Sequence, residues 1–387
     1  MDGRPLDTPP FDAPLETPRD AASGRTPWAT DPDRPRLPLR TRVSIALARA
    51  SRWEFWPAWL FYIPIVVWIL LLGLRHRRPT LFTAANPAID AGGVVGERKH
   101  EVLAPLQRHA PDLVAPLALL PADAPEARDA QAVDFARRHG FPVVLKPDVG
   151  QRGRGVFIAH DEQALSQYLH RFGGDVIAQR YVAGEEFGIF VARAPGDAEA
   201  RILSIVHKTF PTVRGDGRRP LGELILANPR ARLIAPLLWQ RWSDRLDHIP
   251  ADGTTVQLVE IGAHCRGALF LDARHLATPA LIAAMTRLTD AVPGYCFGRV
   301  DLRCPGSAEL ARGEGIRAIE LNGVTAESAH IYHPDTPLLS GYAAMFRQWR
   351  LAFEIGRANA ALGAVTVGPF GLLARFLADR RRSTDWF

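Results

Sequence analysis

The stretch Phe141–Ile158, FPVVLKPDVGQRGRGVFI, restricts what this chain can fold into more than any other. Val143, Val144 and Leu145 form an apolar, partly β-branched run, which predicts a strand. Lys146 ends that run. Gly150, Gly153 and Gly155 follow, with Arg152 and Arg154 between them, and Val156, Phe157 and Ile158 resume a strand. Such a glycine hairpin has free amides and can close over a polyphosphate. The plainer alternative is a β-hairpin whose turn is basic.

The order of these parts excludes several nucleotide folds. In a dinucleotide-binding βαβ unit or a P-loop the glycines open a helix, whereas here they join two strands. In a protein kinase the glycine loop precedes the lysine, whereas here Lys146 comes first. Around the hairpin the sequence predicts a helix at 99–107 and another at 126–139, stopped by Gly140. Asp161 caps a third, which runs to about Phe172. Strands are expected at 175–181, 187–191 and 201–208, and a short one within Thr80–Val95. Phe210–Gly222, with Arg214, Asp216, Arg218 and Arg219, reads as a mobile loop, either a lid or a surface loop. Asn228–Leu246 reads as one helix.

Two further strands are predicted at Phe297–Leu302, FGRVDL, and Ile316–Asn322, IRAIELN. Side chains at i and i+2 of a strand share a face. Glu320 and Asn322 can therefore meet one ion together, with Asp301 reaching it from the neighbouring strand. Two carboxylates and an amide suit magnesium, a hard cation that takes oxygen ligands. A solvated polar face on a hairpin is the alternative.

Gln179–Phe187, QRYVAGEEF, together with the Lys146 hairpin, the acid strand and Glu-x-Asn, resembles the ATP-grasp superfamily, notably D-alanine–D-alanine ligases and other carboxylate–amine ligases. The resemblance spans roughly Thr80–Arg350. It implies an α+β ATP-grasp fold, two α+β subdomains clasping ATP. It implies backbone contacts to adenine from Arg180 and Val182, an adenine contact from Gln179, and a ribose contact from Glu186. It places Lys99, Lys146, Gln151, Arg152, Gly153, Tyr181 and Lys208 in the same ATP site, and gives Asp301, Glu320 and Asn322 one or two Mg2+ ions, with Mn2+ as a substitute. Arg299 and Lys208 become the catalytic residues, Arg299 facing the tetrahedral centre. Gly323–Ser328 takes the place of the substrate loop, but without the proline and glycine usual in D-alanine ligases, so the substrate stays open. His264, Arg266, His330 and His333 are further candidates for holding a carboxylate or moving a proton.

The implied activity is an ATP- and Mg-dependent ligase joining a small-molecule carboxylate to an amine through an acyl phosphate. The alternatives are an ATP-grasp phosphotransferase and a membrane-attached nucleotide-binding protein without ligase activity. A nucleic-acid partner is not expected, because the basic residues sit mainly near the chain ends. Three cysteines in 387 residues, without metal-type spacing, fit a reducing compartment.

The N-terminal region has a different character. Residues 1–40 hold nine prolines and little apolar material, and read as a disordered tail. Residues 41–79 form a basic and hydrophobic, membrane-associated segment. Within it Phe55–Leu74 is twenty uncharged residues, the length of a bilayer crossing. Trp53, Trp56, Trp59 and Tyr62 cluster at its start, and Arg75 to Arg78 close it. Pro57 and Pro64 leave three arrangements open: a transmembrane helix, an interfacial or kinked helix in one leaflet, or a buried core helix. The basic closing residues favour a catalytic domain on the cytoplasmic face. The remaining expected divisions are a shortened pre-ATP-grasp region at 80–140, the ATP-grasp domain at 141–350 and a basic amphipathic C-terminal helix at 351–387. Oligomeric state is left open.

Overall fold

The computed structural model describes residues 15–16, 37–150, 153–259, 262 and 267–382. The chain divides into two compact units, Met1–Arg52 with Phe210–Leu269, and Trp53–Thr209 with Phe270–Phe387. Among the described residues the strands run in chain order as β1 Leu15–Glu16, β2 Leu117–Leu120, β3 Val143–Pro147, β4 Phe157–Ala159, β5 Val176–Arg180, β6 Glu185–Ala192, β7 Arg201–Thr209, β8 Thr212–Arg214, β9 Thr255–Gln257, β10 Leu269–Asp272, β11 Phe297–Cys304 and β12 Arg317–Asn322.

The larger unit contains two sheets. The first has the order β2-β5-β3-β4. Its apolar face carries Val143, Leu145, Val176 and Ala178, which pack with Ala132 and Phe135 of helix Pro125–His139 and with Leu165 and Leu169 of helix Glu162–Arg171. Asp161 caps the second helix by accepting from the Ala164 amide at 2.7 Å. The glycine hairpin lies between β3 and β4, with Gly153 and Gly155 both at positive φ.

The second sheet has the order β10-β7-β6-β11-β12. Strand alternation divides its chemistry between two faces. Phe187, Ile189, Val191, Val300 and Leu302 are buried in the main apolar core with Leu281, Met285 and Leu288 of helix Pro279–Ala291. Glu186, Lys208, Arg299, Asp301 and Arg303 take the alternate positions. Gly188 lies opposite Asp301, and a Cβ there would stand 3.0 Å from Asp301 Oδ1. Glycine thus leaves room for the charged cluster.

The β11–β12 pair carries a bulge. Asp301 faces Glu320, but Leu302 faces Ala318, so Ile319 is the extra residue. Its carbonyl accepts from Lys146 and becomes part of the site.

Helix Ala58–Arg75 is the one helix among the described residues long and apolar enough to cross a membrane by length and composition. It packs on helix Leu338–Ala361 through an apolar and aromatic seam that includes Phe61, Ile65 and Leu72.

The smaller unit holds helix Leu39–Ala50, the sheet β1-β9-β8 and the short helices Leu221–Ala227, Pro229–Leu233 and Ala235–Arg241. Asn228 caps the middle helix through its Oδ1.

Three sequence expectations are corrected here. Asn228–Leu246 is two short helices, because Pro229 and Pro236 each favour the first turn of a new one. Thr80–Val95 holds no strand; it forms the 3-10 turns Leu81–Ala84 and Asp90–Gly92, the second followed by a left-handed Gly93. Phe210–Gly222 is built around structure: β8 pairs with β9, Asp216 binds the amides of Arg218 and Arg219, and a helix begins at Leu221. Most of residues 1–40 lies outside the described residues; within it β1 pairs with β9, and helix Leu39–Ala50 begins.

Candidate active site

The site is built on the polar face of the five-stranded sheet. Lys208 Nζ lies 3.1 Å from Glu186 Oε1 and 3.0 Å from Asp301 Oδ1. Arg299 grips Asp301 with both ends of its fork, Nε to Oδ1 at 2.9 Å and Nη2 to Oδ2 at 3.2 Å. The Asn322 amide adds a longer bond to Asp301 Oδ2, 3.4 Å. Burial disfavours the Asp301 charge, but Arg299 and Lys208 outweigh it and hold this carboxyl below its ordinary range. Burial likewise works against the Lys208 ammonium, and Asp301 and Glu186 raise it again.

Glu186 also accepts from Arg303 at 3.3 and 3.2 Å. Arg303 continues to the Tyr181 hydroxyl at 3.2 Å and the Val182 carbonyl at 3.0 Å, and lies over the Tyr181 ring. The expected ribose acid and hinge residues are therefore bound together by an arginine that the motif reading missed. Its signal was present: Arg299, Asp301 and Arg303 alternate along one strand face.

Lys146 is buried and donates to the Gln179 side-chain oxygen at 2.9 Å and to the Ile319 carbonyl at 2.7 Å. The bulge thus supplies the acceptor that ties β3 to β12. Desolvation lowers the Lys146 pKa to about 8, partly offset by Glu320. Gln179 donates its own amide to the Ala115 carbonyl at 3.3 Å. Each end of that side chain thus makes one bond within the protein, and its oxygen lies against Lys146. The Arg180 amide donates to the Pro116 carbonyl, and its side chain is exposed.

Lys99 donates to the Gly150 carbonyl at 2.6 Å, at the stem of the glycine hairpin, and lies 3.9 Å from Glu320 Oε1. Gln151 and Arg152 lie outside the described residues, as do His264 and Arg266. His330 is buried and bonded to the Ser204 hydroxyl at 2.9 Å; burial lowers its pKa to about 4. It is a neutral core histidine. His333 accepts from the Asp335 amide at 3.2 Å, a turn role.

Segment Gly323–Ser328 is knit to the turns before helix Lys99–His109. Val324 donates its amide to the Gly92 carbonyl, and the Thr325 hydroxyl to the Gly93 carbonyl. Gly323 donates its amide to Glu97 Oε2 at 3.3 Å. Glu327 accepts from the hydroxyls of Tyr62 and Tyr332, so the apolar helix is bonded to this segment.

Glu97 also escaped the sequence reading. Its Oε1 is buried and has no hydrogen-bond partner. Burial, reinforced by the charge of Glu320, raises its pKa to about 8. No local pattern marks it, since only the tertiary fold brings it to Gly323. The sign of its pH effect follows. The unfolded carboxyl titrates near 4.5, so between that value and about 8 the folded state holds the extra proton. The stability this confers is complete below 4.5 and is lost as pH rises through 8. Glu97→Gln is therefore expected to gain on the unmodified protein as pH rises. Thermal melts at about pH 5 and about pH 9 check this; an equal difference at both values would contradict it.

Residues 115–205 match the family described as the RimK-like ATP-grasp domain. That region is similar to an ATP-grasp domain. It runs from just before β2 into β7, and includes the glycine hairpin and the Gln179–Glu186 turn. A Mycoplasma pneumoniae protein named as an uncharacterized MG012 homolog is 27% identical over 158 residues, 40% of this chain and 48% of that protein. The chain thus spans about half the length of that curated relative. Among solved structures, a D-alanine–D-alanine ligase from Bacillus anthracis is similar at 16% identity and a TM-score of 0.41, covering 71% of this chain and 72% of that one. A bifunctional glutathione synthetase from Pasteurella multocida is similar at 18% identity and a TM-score of 0.37, covering 65% of this chain and 36% of that one.

Proposed function

We propose that this protein is an ATP- and magnesium-dependent ligase that joins a carboxylate to an amine. The supporting observation is a single polar sheet face that gathers Asp301, Glu320 and Asn322 beside Lys208 and Arg299, within reach of Lys146. The oxygen donors fit a divalent cation. Among the described residues Glu320 has the distant Lys99 as its ion-pair partner, so this carboxylate is left largely uncompensated by the site's own cations. Glu320 and Asn322, with Asp301 opposite, would hold the ion, although no cluster of three His, Cys, Asp or Glu ligands occurs among the described residues. A magnesium ion held there would supply neutralisation of phosphate charge.

In this reading Lys99 and Lys146 hold phosphate oxygens, and the glycine hairpin closes over them. A donor carboxylate oxygen attacks the γ-phosphorus, the bond to the bridging oxygen breaks, and ADP leaves an acyl phosphate. The amine nitrogen attacks the acyl carbon, the carbon–oxygen bond to phosphate breaks, and the nitrogen gives up a proton. Arg299 faces the oxyanion of that second step. The departing phosphate takes the proton that the amine nitrogen gives up. No side chain forms a covalent bond; positioning and charge neutralisation carry the chemistry.

The test is ADP and phosphate release by the full chain with carboxylates and amino acids, singly and in pairs. Release that needs both substrates is expected. Release with one alone would replace ligation with phosphoryl transfer. Nucleotide binding without release from any pair would reduce the protein to a binding module.

A further inference from the structure

We infer that helix Ala58–Arg75 lies flat on an anionic lipid bilayer, with one face in the lipid and the other on its own catalytic unit. The inference does not depend on the ligase reading. It begins with how the helix is seated. Phe61 stacks on Tyr342 at 5.2 Å, Trp68 donates its indole N–H to the Phe346 carbonyl at 3.0 Å, and His76, just past the end, lies 5.5 Å from the Phe353 ring. These contacts follow helix Leu338–Ala361 along its length. Residues 61 to 76 span about 22 Å of helix axis, so the apolar helix is attached to protein over most of its extent.

That attachment decides against a crossing. The supporting helix exposes Arg347, Arg350, Glu354 and Arg357. Arg350 and Glu354 form a loose ion pair at 3.8 Å on that exposed face. A bilayer-spanning Ala58–Arg75 would carry these charges into hydrocarbon, at several kcal/mol or more. The apolar helix has no such obstacle on its other side. Trp59, Ile63, Val66, Val67, Leu70 and Leu74 are exposed, Trp59 by 68% and Leu74 by 75%. Their spacing follows the helical repeat, so they form one stripe opposite Phe61, Ile65 and Leu72.

Charge identifies the occupant. The stripe holds no ionisable group, and the chain turns basic where it ends, at Arg75, Arg77 and Arg78. The same unit repeats this design in helix Pro369–Arg382, where Phe370, Leu373, Phe376 and Leu377 are exposed and the sequence closes on Arg380, Arg381 and Arg382. Apolar stripes with basic ends match a hydrocarbon surface below anionic headgroups.

The experiment uses vesicles of phosphatidylcholine with and without phosphatidylglycerol. The full chain is expected to float with the anionic vesicles, and added salt is expected to weaken this. Val67→Glu with Leu70→Glu is expected to lower partitioning about tenfold or more while the melting curve is retained, since both positions are exposed. Single cysteines at Ser51→Cys and Arg78→Cys, in a background without the native cysteines, then report topology. Labelling of both from outside sealed vesicles by an impermeant maleimide supports the inference. Protection of one would show a crossing and overturn it. Absence of vesicle binding, with dimers in solution that the double variant abolishes, would assign the stripe to a second copy instead and also overturn it.

Discussion

Glu320→Ala is expected to cut magnesium-dependent ADP release by about 100- to 1000-fold while leaving the fold intact. Glu320 is one-third exposed, and its one ion pair is with Lys99 at 3.9 Å. Its removal therefore strands no close buried partner, and the melting free energy should change by only about 0.5 kcal/mol. The loss would appear in activity because, of the carboxylates proposed to hold the metal, Glu320 is the one least neutralised by protein cations. Undiminished ADP release by a well-folded Glu320→Ala protein would remove the metal assignment.

Asp301→Ala has the opposite profile. Asp301 is 4% exposed and neutralises Lys208 and Arg299 at once. Removing it leaves two cations short of a partner in a buried site, a loss of about 3–5 kcal/mol. The melting temperature should fall by roughly 5–10 °C. Adding Lys208→Met should restore part of that stability, since the residues share one network. A double variant that is as unstable as the two single losses summed would show that the network is not coupled.

Much of the larger unit was legible because its signals are local. The glycine hairpin, the strands at 143–147 and 176–180 and the caps at Asp161 and Gly140 follow from apolar runs, glycine placement and side-chain hydrogen bonding over a few residues. Asp301, Glu320 and Asn322 could be grouped because a strand repeats every second residue. The parts that were not legible depend on distant chain. The bulge at Ile319 requires knowledge of which residue β11 pairs with each residue of β12. Glu97 gains its meaning from Gly323, 226 residues away. The bonds of Gln179 to Lys146 and Ala115 come from tertiary packing, which no local pattern announces. Phe210–Gly222 read as a mobile loop because glycine and charge are shared by loops and by compact turns; the pairing of β8 with β9, 41 or more residues on, has no local signal.

The bond from Tyr62 to Glu327 gives the lipid stripe and the candidate substrate segment one shared mechanical element. Glu327 also lies close enough to Arg299 to raise its pKa. A ligand that displaces Glu327 must strain or break the tether to helix Ala58–Arg75. Thermodynamic reciprocity then fixes the outcome: whatever factor substrate imposes on lipid affinity, lipid imposes on substrate affinity. In this protein the bilayer would act as an effector of the site, and turnover measured in its absence would report a different binding constant from turnover on vesicles.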